Sequence, residues 1–239
     1  MITIIRWKID VPYGNRSAII RSRDAVKNLI DAALVRHGYH IDRTQAAPYG
    51  FGVVGKRVNA PGAQRLHRVE RVIVGSSDPK IARALAQWTP EDLWEPNAVP
   101  GAGLDLRHST LSIDPSPVLG EAIALYAISP IRVIEGNPGQ TILKLGEAWE
   151  KALNRTMTRR FKRPFHLHIA PDSWYIRAKH GQIVAHMATK VRHDGYVVAY
   201  PGLIFPFVLA GPAEELHVVW YSGLGSSTAM GFGCVEVAQ

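Results

Sequence analysis

Read in order, the 239 residues give strand, helix, strand, strand, helix, strand, and then the same series again. This order predicts an α+β chain of two tandem ferredoxin-like (RRM-like) β-α-β-β-α-β domains, residues 1–118 and 119–239. A hydrophobic content of 46% agrees, since it suits one large core or two small ones. No sequence repeat relates the halves, so the duplication is one of pattern.

The first half opens on "MITIIRWKID", where residues 2–11 alternate loosely and read as a strand. In "SRDAVKNLIDAALVRHG", Val26, Leu29, Ile30, Ala33 and Leu34 follow the i, i+3, i+4, i+7, i+8 spacing of an amphipathic helix. Ser22 suits its cap, Asp24 its first turn and Gly38 its end. "FGVVGKRV" and "RVERVIVG" read as two strands joined around Pro61 and Gly62. In "SDPKIARALAQW", Asp78 caps a second helix and Pro79 enters its first turn. A Pro/Gly-rich stretch, "WEPNAVPGAGL", leads to "LDLRHSTLSI", which reads as a strand.

In the second half, "EAIALYAISPIRV" reads as a strand interrupted at Ser129-Pro130, where a bulge or an edge position accommodates the proline. "ILKLGEAWEKALNRTM" predicts a helix with Leu145, Ala148, Trp149, Ala152 and Leu153 on one stripe. "FHLHI", "WYIRAK", "IVAHMATKV" and "YVVAYPGLIFPFVL" carry strand propensity. "GPAEELHVVWYSG" predicts a short helix stopped by Gly223, and "FGCVEVA" is the last strand.

The net charge is +8. A balance this basic points to a polyanionic partner, nucleic acid first, or to a basic solvated surface. Its distribution favours the former. "RTMTRRFKRPFHLH" places Arg155, Arg159, Arg160, Lys162 and Arg163 within nine residues, with Phe161 and Phe165 interleaved. Such mixing suits phosphate contacts with base stacking, although Phe161 fits equally well as a core anchor under a basic surface. Trp174 and Tyr175 can likewise stack on bases or simply pack.

Several function classes are excluded. No apolar run is long enough for a membrane helix, so no membrane association is expected. The start lacks a basic segment followed by a long apolar one, so no secretory signal is expected. One cysteine, Cys234, allows no internal disulfide and suits a reducing compartment. There is no G-x-S-x-G elbow for a serine hydrolase. His166 and His168 form an H-x-H pair, with His180, His186 and His193 nearby in sequence. No carboxylate or cysteine stands at ligand spacing to them, so neither a metal nor a cofactor is expected.

The chain closes on "GLGSSTAMGFGCVEV", with Gly223, Gly225, Gly231 and Gly233 inside eleven residues. Backbone N–H groups exposed by glycines can cradle phosphates, and Ser226, Ser227 and Thr228 add hydroxyl donors. No G-K-S/T follows, so this is not a Walker A loop. A helix precedes it and a strand follows, the reverse of a dinucleotide fingerprint. A tight turn with a bulge is the alternative, but it needs fewer glycines.

This loop resembles the glycine-rich loop of the CRISPR-associated RAMP proteins. The helix running into G-L-G, the small-Met-G-F-G turn and the closing strand are similar to the repeat-cleaving endoribonucleases, the sixth Cas family. "AISPIRV" resembles the Ser-Pro-Ile segment of that family's second domain, and "YPGLIFPFVLAGPAEELHVVWYSGLG" its approach to the loop. The resemblance is strong after residue 126 and weak before it. It implies a loop at the junction of two domains in contact with CRISPR repeat RNA. It also implies cleavage without metal by attack of the RNA's own 2′-OH, giving a 2′,3′-cyclic phosphate and a 5′-OH. The implied setting is the prokaryotic cytoplasm, as monomer or homodimer, with other Cas subunits as further partners. The rival it leaves open is a non-catalytic RAMP subunit that only binds guide RNA in an effector complex.

Histidine suits the proton transfers of such a reaction, and Lys or Arg its charge. The family histidine lies just after the first helix, where "VRHGYHIDRTQAAPYGFG" offers two. His40, in the loop, resembles it better; His37, at the helix end, is the second candidate and otherwise a helix terminator. Arg43 and Lys56 are the candidate cations, and Tyr39 a positioning or stacking group. Some relatives carry a tyrosine on this helix; here Asp31 or Asn28 stands near that place, and Asp31 reads as a solvated helix residue.

Overall fold

The computed structural model describes residues 4–15, 18–42, 48–59, 65–99, 102–117, 120–136 and 140–238. The first unit comprises β1 (Ile5–Asp10), β2 (Ile19–Ile20), α1 (Asp24–Arg36), β3 (Tyr49–Asn59), β4 (Arg65–Ser76), α2 (Pro79–Leu85), β5 (Trp94–Val99), β6 (Ala102–Asp105) and β7 (Thr110–Ile113). The second comprises β8 (Ala122–Ala127), β9 (Ile134–Glu135), β10 (Gln140–Thr141), α3 (Glu147–Phe161), β11 (His168–Pro171), α4 (Ser173–Ala178), β12 (Val184–Val191), β13 (Val197–Leu203), β14 (Pro206–Ala210), α5 (Ala213–Ser222) and β15 (Val235–Val237).

The first sheet is antiparallel and runs β3-β4-β1-β7, with β2 beside the far end of β4. The second runs β11-β14-β8-β15, again antiparallel. In both, the first strand of the unit lies between the third and the fourth, and the second takes an edge. Both units are therefore ferredoxin-like, as the alternating pattern predicts. The expected boundary between residues 118 and 119 lies outside the described residues.

Each unit has its own core. Ala25, Val26, Leu29, Ile30, Ala33 and Leu34 of α1 are buried against Phe51, Val53, Val72 and Val74 of the sheet, so the apolar stripe read from spacing is the packed face. In the second unit, Trp149, Ala152, Leu153 and Met157 of α3 meet Phe205, Phe207 and Leu209. Asp78 caps α2 as expected, accepting from the N–H groups of Lys80 (2.8 Å) and Ile81 (3.2 Å).

Other expectations are corrected. Ser22 does not cap α1: its hydroxyl bonds Asp24, and the helix start is held by the Arg23 N–H donating to Ala188 O (3.0 Å) from the β12-β13 hairpin. The third helix begins only at Glu147, because Gly146 sits at φ +146°, a left-handed conformation outside the helix. Leu145 therefore lies off the helix and Ala148 is exposed. "WYIRAK" is helical, not extended, since the Asp172 side chain accepts from Trp174 and Tyr175 N–H (2.9 Å each) and outweighs strand propensity. The Pro/Gly-rich stretch forms the β5-β6 hairpin, which packs on α1. β8 ends at Ala127, ahead of the proline. No helix among the described residues is long and apolar enough to cross a membrane.

The two units meet along a seam of small residues. A Cβ at Gly50 would stand 2.4 Å from Ser222 O, and one at Gly52 would stand 2.6 Å from Cys234 Cβ. Only glycine lets the β3 backbone approach the end of α5 so closely. Arg6, 1% exposed, fastens the seam from β1. It donates to Trp220 O (2.6 Å) and Val235 O (2.7 Å), pairs with Asp114 (2.8 Å) and stacks on the Trp220 ring (3.8 Å).

Candidate functional site

The glycine loop lies on this seam. Gly223, Gly225, Gly231 and Gly233 all have φ between +65° and +92°, and a Cβ at Gly233 would stand 1.8 Å from Leu224 O. The glycines are thus required first by the loop's own path. Its hydroxyls are also turned inward. Thr228 Oγ1 donates to Tyr49 O (2.8 Å) and Ser226 Oγ to Arg132 O (3.0 Å), while Ser227 Oγ accepts from Arg132 (3.1 Å). The expected Ser226 and Thr228 donors are therefore spent on the protein. Most of the loop's N–H groups are bonded internally too. Among the described residues, the N–H groups of Ser227, Thr228 and Ala229 meet no protein acceptor. These three residues border a cavity, and adjacent N–H groups of this kind form an anion nest.

Arg160 holds the loop in that shape. Its guanidinium donates to Ser222 O (3.0 Å), Gly223 O (3.1 Å), Gly225 O (2.7 Å) and Thr228 Oγ1 (2.7 Å). Burial lowers its pKa to about 9, which leaves it protonated at neutral pH. It serves as a brace, and its donors face the loop. Of the other basic residues expected to meet RNA, Arg155 pairs with Glu135 and Arg163 with Glu214 (3.0 Å). Arg159 and Lys162 have no carboxylate partner among the described residues and border the groove. Arg160→Met should cost about 2–4 kcal/mol, because several carbonyls lose a charged donor. Urea unfolding checks this; an unchanged midpoint would show that the loop closes without the brace.

Two cavities, of about 900 and 1050 Å³, lie on either side of the chain that follows α1. Ile41, Asp42, Arg160 and Lys162 border both, so they form one groove along the seam. The first holds both candidate histidines. His37 Nε2 lies 2.9 Å from Asp92 Oδ2. Burial acts to raise the Asp92 carboxyl, but hydrogen bonds from Thr89 N–H and His37, with Arg36 adding, outweigh it and hold the pKa below its usual range. Asp92 thus engages His37 as an anchor. His40 is exposed and has no protein partner among the described residues, so its ring is free to meet a ligand. Tyr39 lines the same cavity; burial, with Asp78 and Asp42 nearby, raises its pKa and keeps the phenol protonated.

The candidate cations fare differently. Arg43 lies outside the described residues. Lys56 is not brought to the groove: it pairs with Glu70 (3.1 Å), is 80% exposed at its side chain, and stands seven positions along β3 from Tyr49. At about 3.3 Å per residue that is roughly 23 Å away. The structure instead brings Lys80 and Arg83 of α2 beside His40. Lys190, from the β12-β13 hairpin, borders the second cavity. None of these three has a carboxylate partner among the described residues. The i, i+3 spacing of Lys80 and Arg83 on one helix face was readable, but nothing in it said which surface that face would meet. Asp31 is not solvated: it accepts from Tyr49 OH (2.6 Å) and pairs with Lys27. Asn28 donates to Ala98 O (2.5 Å). His166 and His168 pair with Glu215 and Glu150 (3.2 Å each), and among the described residues no three His, Cys, Asp or Glu side chains converge.

Three solved structures share this architecture. One reported for a Cas6-related gene from Pyrococcus furiosus superposes with TM-score 0.71 at 16% identity, over 99% of each chain. A RAMP protein described as binding different RNA substrates gives 0.66 at 17% identity, over 98% of this chain and 100% of that one. A CRISPR associated protein Cas6 gives 0.60 at 16%, over 99% and 100%. At these identities the likeness is one of fold. No curated protein sequence matches the chain. The family model for "CRISPR associated protein Cas6, C-terminal" matches residues 115–237, which is more than half of the chain and includes the whole glycine loop. The chain therefore belongs to the Cas6 family of CRISPR-associated proteins.

Proposed function

We propose that the protein is a metal-independent endoribonuclease that cuts CRISPR precursor RNA within its repeats. The observation that carries this is one cavity lined by His40, without a protein partner among the described residues, and by the cations Lys80, Arg83 and Lys162, without a carboxylate partner among them. The seam between residues 1–118 and 119–239, taken as two domains, supplies the groove. RNA phosphates fit the anion nest at Ser227, Thr228 and Ala229 and the cations Arg159 and Lys190 around it.

In the reaction, the 2′-OH oxygen next to the scissile phosphate forms the new bond to phosphorus, and the bond to the 5′-oxygen breaks. The products are a 2′,3′-cyclic phosphate and a 5′-OH. His40 takes the 2′-OH proton or gives one to the leaving oxygen. The cations offset charge on the phosphorane-like transition state, and the groove aligns the attack. Tyr39, kept as a phenol, can donate to a phosphate oxygen. A cytoplasmic setting follows from the substrate.

The experiment is cleavage of a cognate repeat RNA in excess EDTA, alongside a copy with 2′-deoxy at the nucleotide before the cut. Cutting should persist in EDTA and stop with the 2′-deoxy RNA. A requirement for magnesium would overturn the mechanism. A second reading, a subunit that binds guide RNA without cutting it, is supported by the fold shared with a RAMP protein that binds RNA. It predicts tight binding and no product from any repeat.

A further inference from the structure

Outside the groove, the short helix α4 carries an exposed aromatic face that the cutting reaction does not use. Trp174 is 78% exposed, the most of any tryptophan in the molecule. Arg177 stacks over its ring at 4.5 Å from the centroid, and Lys179 stands over the Tyr175 ring at 5.7 Å. Arg177 covers one face of the indole, and the exposure leaves the other to solvent. The helix itself carries two cations, Arg177 and Lys179, and between Asp172 and Asp194 the chain has no acidic residue.

This helix is held more firmly than its six residues would hold themselves. Asp172 caps its start through two N–H bonds. Its end is closed by His180 N–H donating to Arg177 O and Gly181 N–H to Ile176 O (2.9 Å each), with His180 in the left-handed region at φ +49°. Tyr175 and Ile176 pack on the second core. Trp174 is therefore presented outward by a fixed support, without the burial that explains Trp149 and Trp220 of this unit. α4 follows the end of β11 away from α3, whose last turn borders the groove, and it lines neither cavity.

We propose that α4 is a second RNA contact, in which an unpaired base stacks on the open face of Trp174 and Arg177 and Lys179 meet the flanking phosphates. An exposed aromatic ring backed by a guanidinium, on a helix whose one neighbouring carboxylate, Asp172, is engaged by the Trp174 and Tyr175 N–H groups, matches the chemistry of single-stranded nucleic acid. A protein partner would gain the apolar ring but would leave the cations unmatched. The site extends the hold on a precursor beyond the repeat segment in the groove, and in this it rests on the RNA-binding reading above.

The test uses the full chain and a fluorescein-labelled single-stranded oligo(A), a probe that needs no cutting. Trp174→Ala should weaken its binding roughly fivefold to a hundredfold, the range expected for one stacked base. Trp174→Phe should recover most of the affinity. Arg177→Ala combined with Lys179→Ala should weaken binding and flatten its salt dependence. Trp174→Ala should leave single-turnover cutting of a minimal repeat unchanged. Equal oligo(A) affinity of wild type and Trp174→Ala overturns the proposal, as does a variant that loses only a protein partner. If Trp174→Ala weakens oligo(A) binding while no repeat is cut, the nuclease reading fails and this one stands.

Discussion

Arg6→Met is expected to destabilise the protein by about 3–5 kcal/mol, the cost of breaking a buried charged network from one side. Arg6 reaches from the first sheet to two carbonyls and an aromatic ring of the second unit, while Asp114 neutralises it. With methionine in its place, Trp220 O and Val235 O lose their donor, and Asp114, only 17% exposed at its side chain, loses its counter-charge. Because these contacts cross the seam, the groove should loosen along with the fold. Thermal melting should fall by roughly 10 °C, taking about 2–4 °C per kcal/mol for a chain of this size. Arg6→Lys should recover only part of the loss, since a lysine cannot bond two carbonyls and a carboxylate in one planar fork. A melt within a degree or two of wild type would show that the seam does not depend on Arg6.

His40→Ala is expected to lower the single-turnover cutting rate by roughly a hundredfold to ten-thousandfold, the usual range for a lost proton-transfer group. The side chain is exposed and makes no internal bond among the described residues, so stability should not change. RNA affinity should stay within a few-fold, because the cations and the N–H nest remain. The comparison with His37→Ala is decisive. His37 is tied to Asp92, and its loss should show mainly as reduced stability and a modest rate effect. If His40→Ala turns over normally and His37→Ala does not, the proton-transfer role moves to His37.

How much of this could be read from the sequence differs from element to element. The α1 stripe and the Asp78 cap are local: the residues that build them are neighbours in the chain, and spacing reveals them. The strand assigned to "WYIRAK" failed because Asp172, two positions before the window, supplies two cap bonds that outweigh propensity. Lys56 failed for another reason. Its nearness to His40 in sequence is undone by an extended strand that carries it away from the seam. Lys80, Arg83 and Lys190 come to the groove from elements whose docking no local pattern encodes. Arg160 looked like its basic neighbours, and only the positions of four acceptors show it facing inward.

The sequence alone determined the duplicated β-α-β-β-α-β plan, the basic character and the family-bearing loop, because each is carried by contiguous residues. Tertiary structure alone decided what the glycines are for. Their positive φ angles and missing Cβ atoms let two sheets and one loop close onto each other, and among the described residues the N–H groups of Ser227, Thr228 and Ala229 are left without a protein acceptor beside the groove. It also decided which histidine is engaged: His37 meets a carboxylate fifty-five residues away in sequence, and among the described residues His40 meets no protein partner. Contacts of that range depend on how the elements dock, and docking is settled by packing across the whole chain.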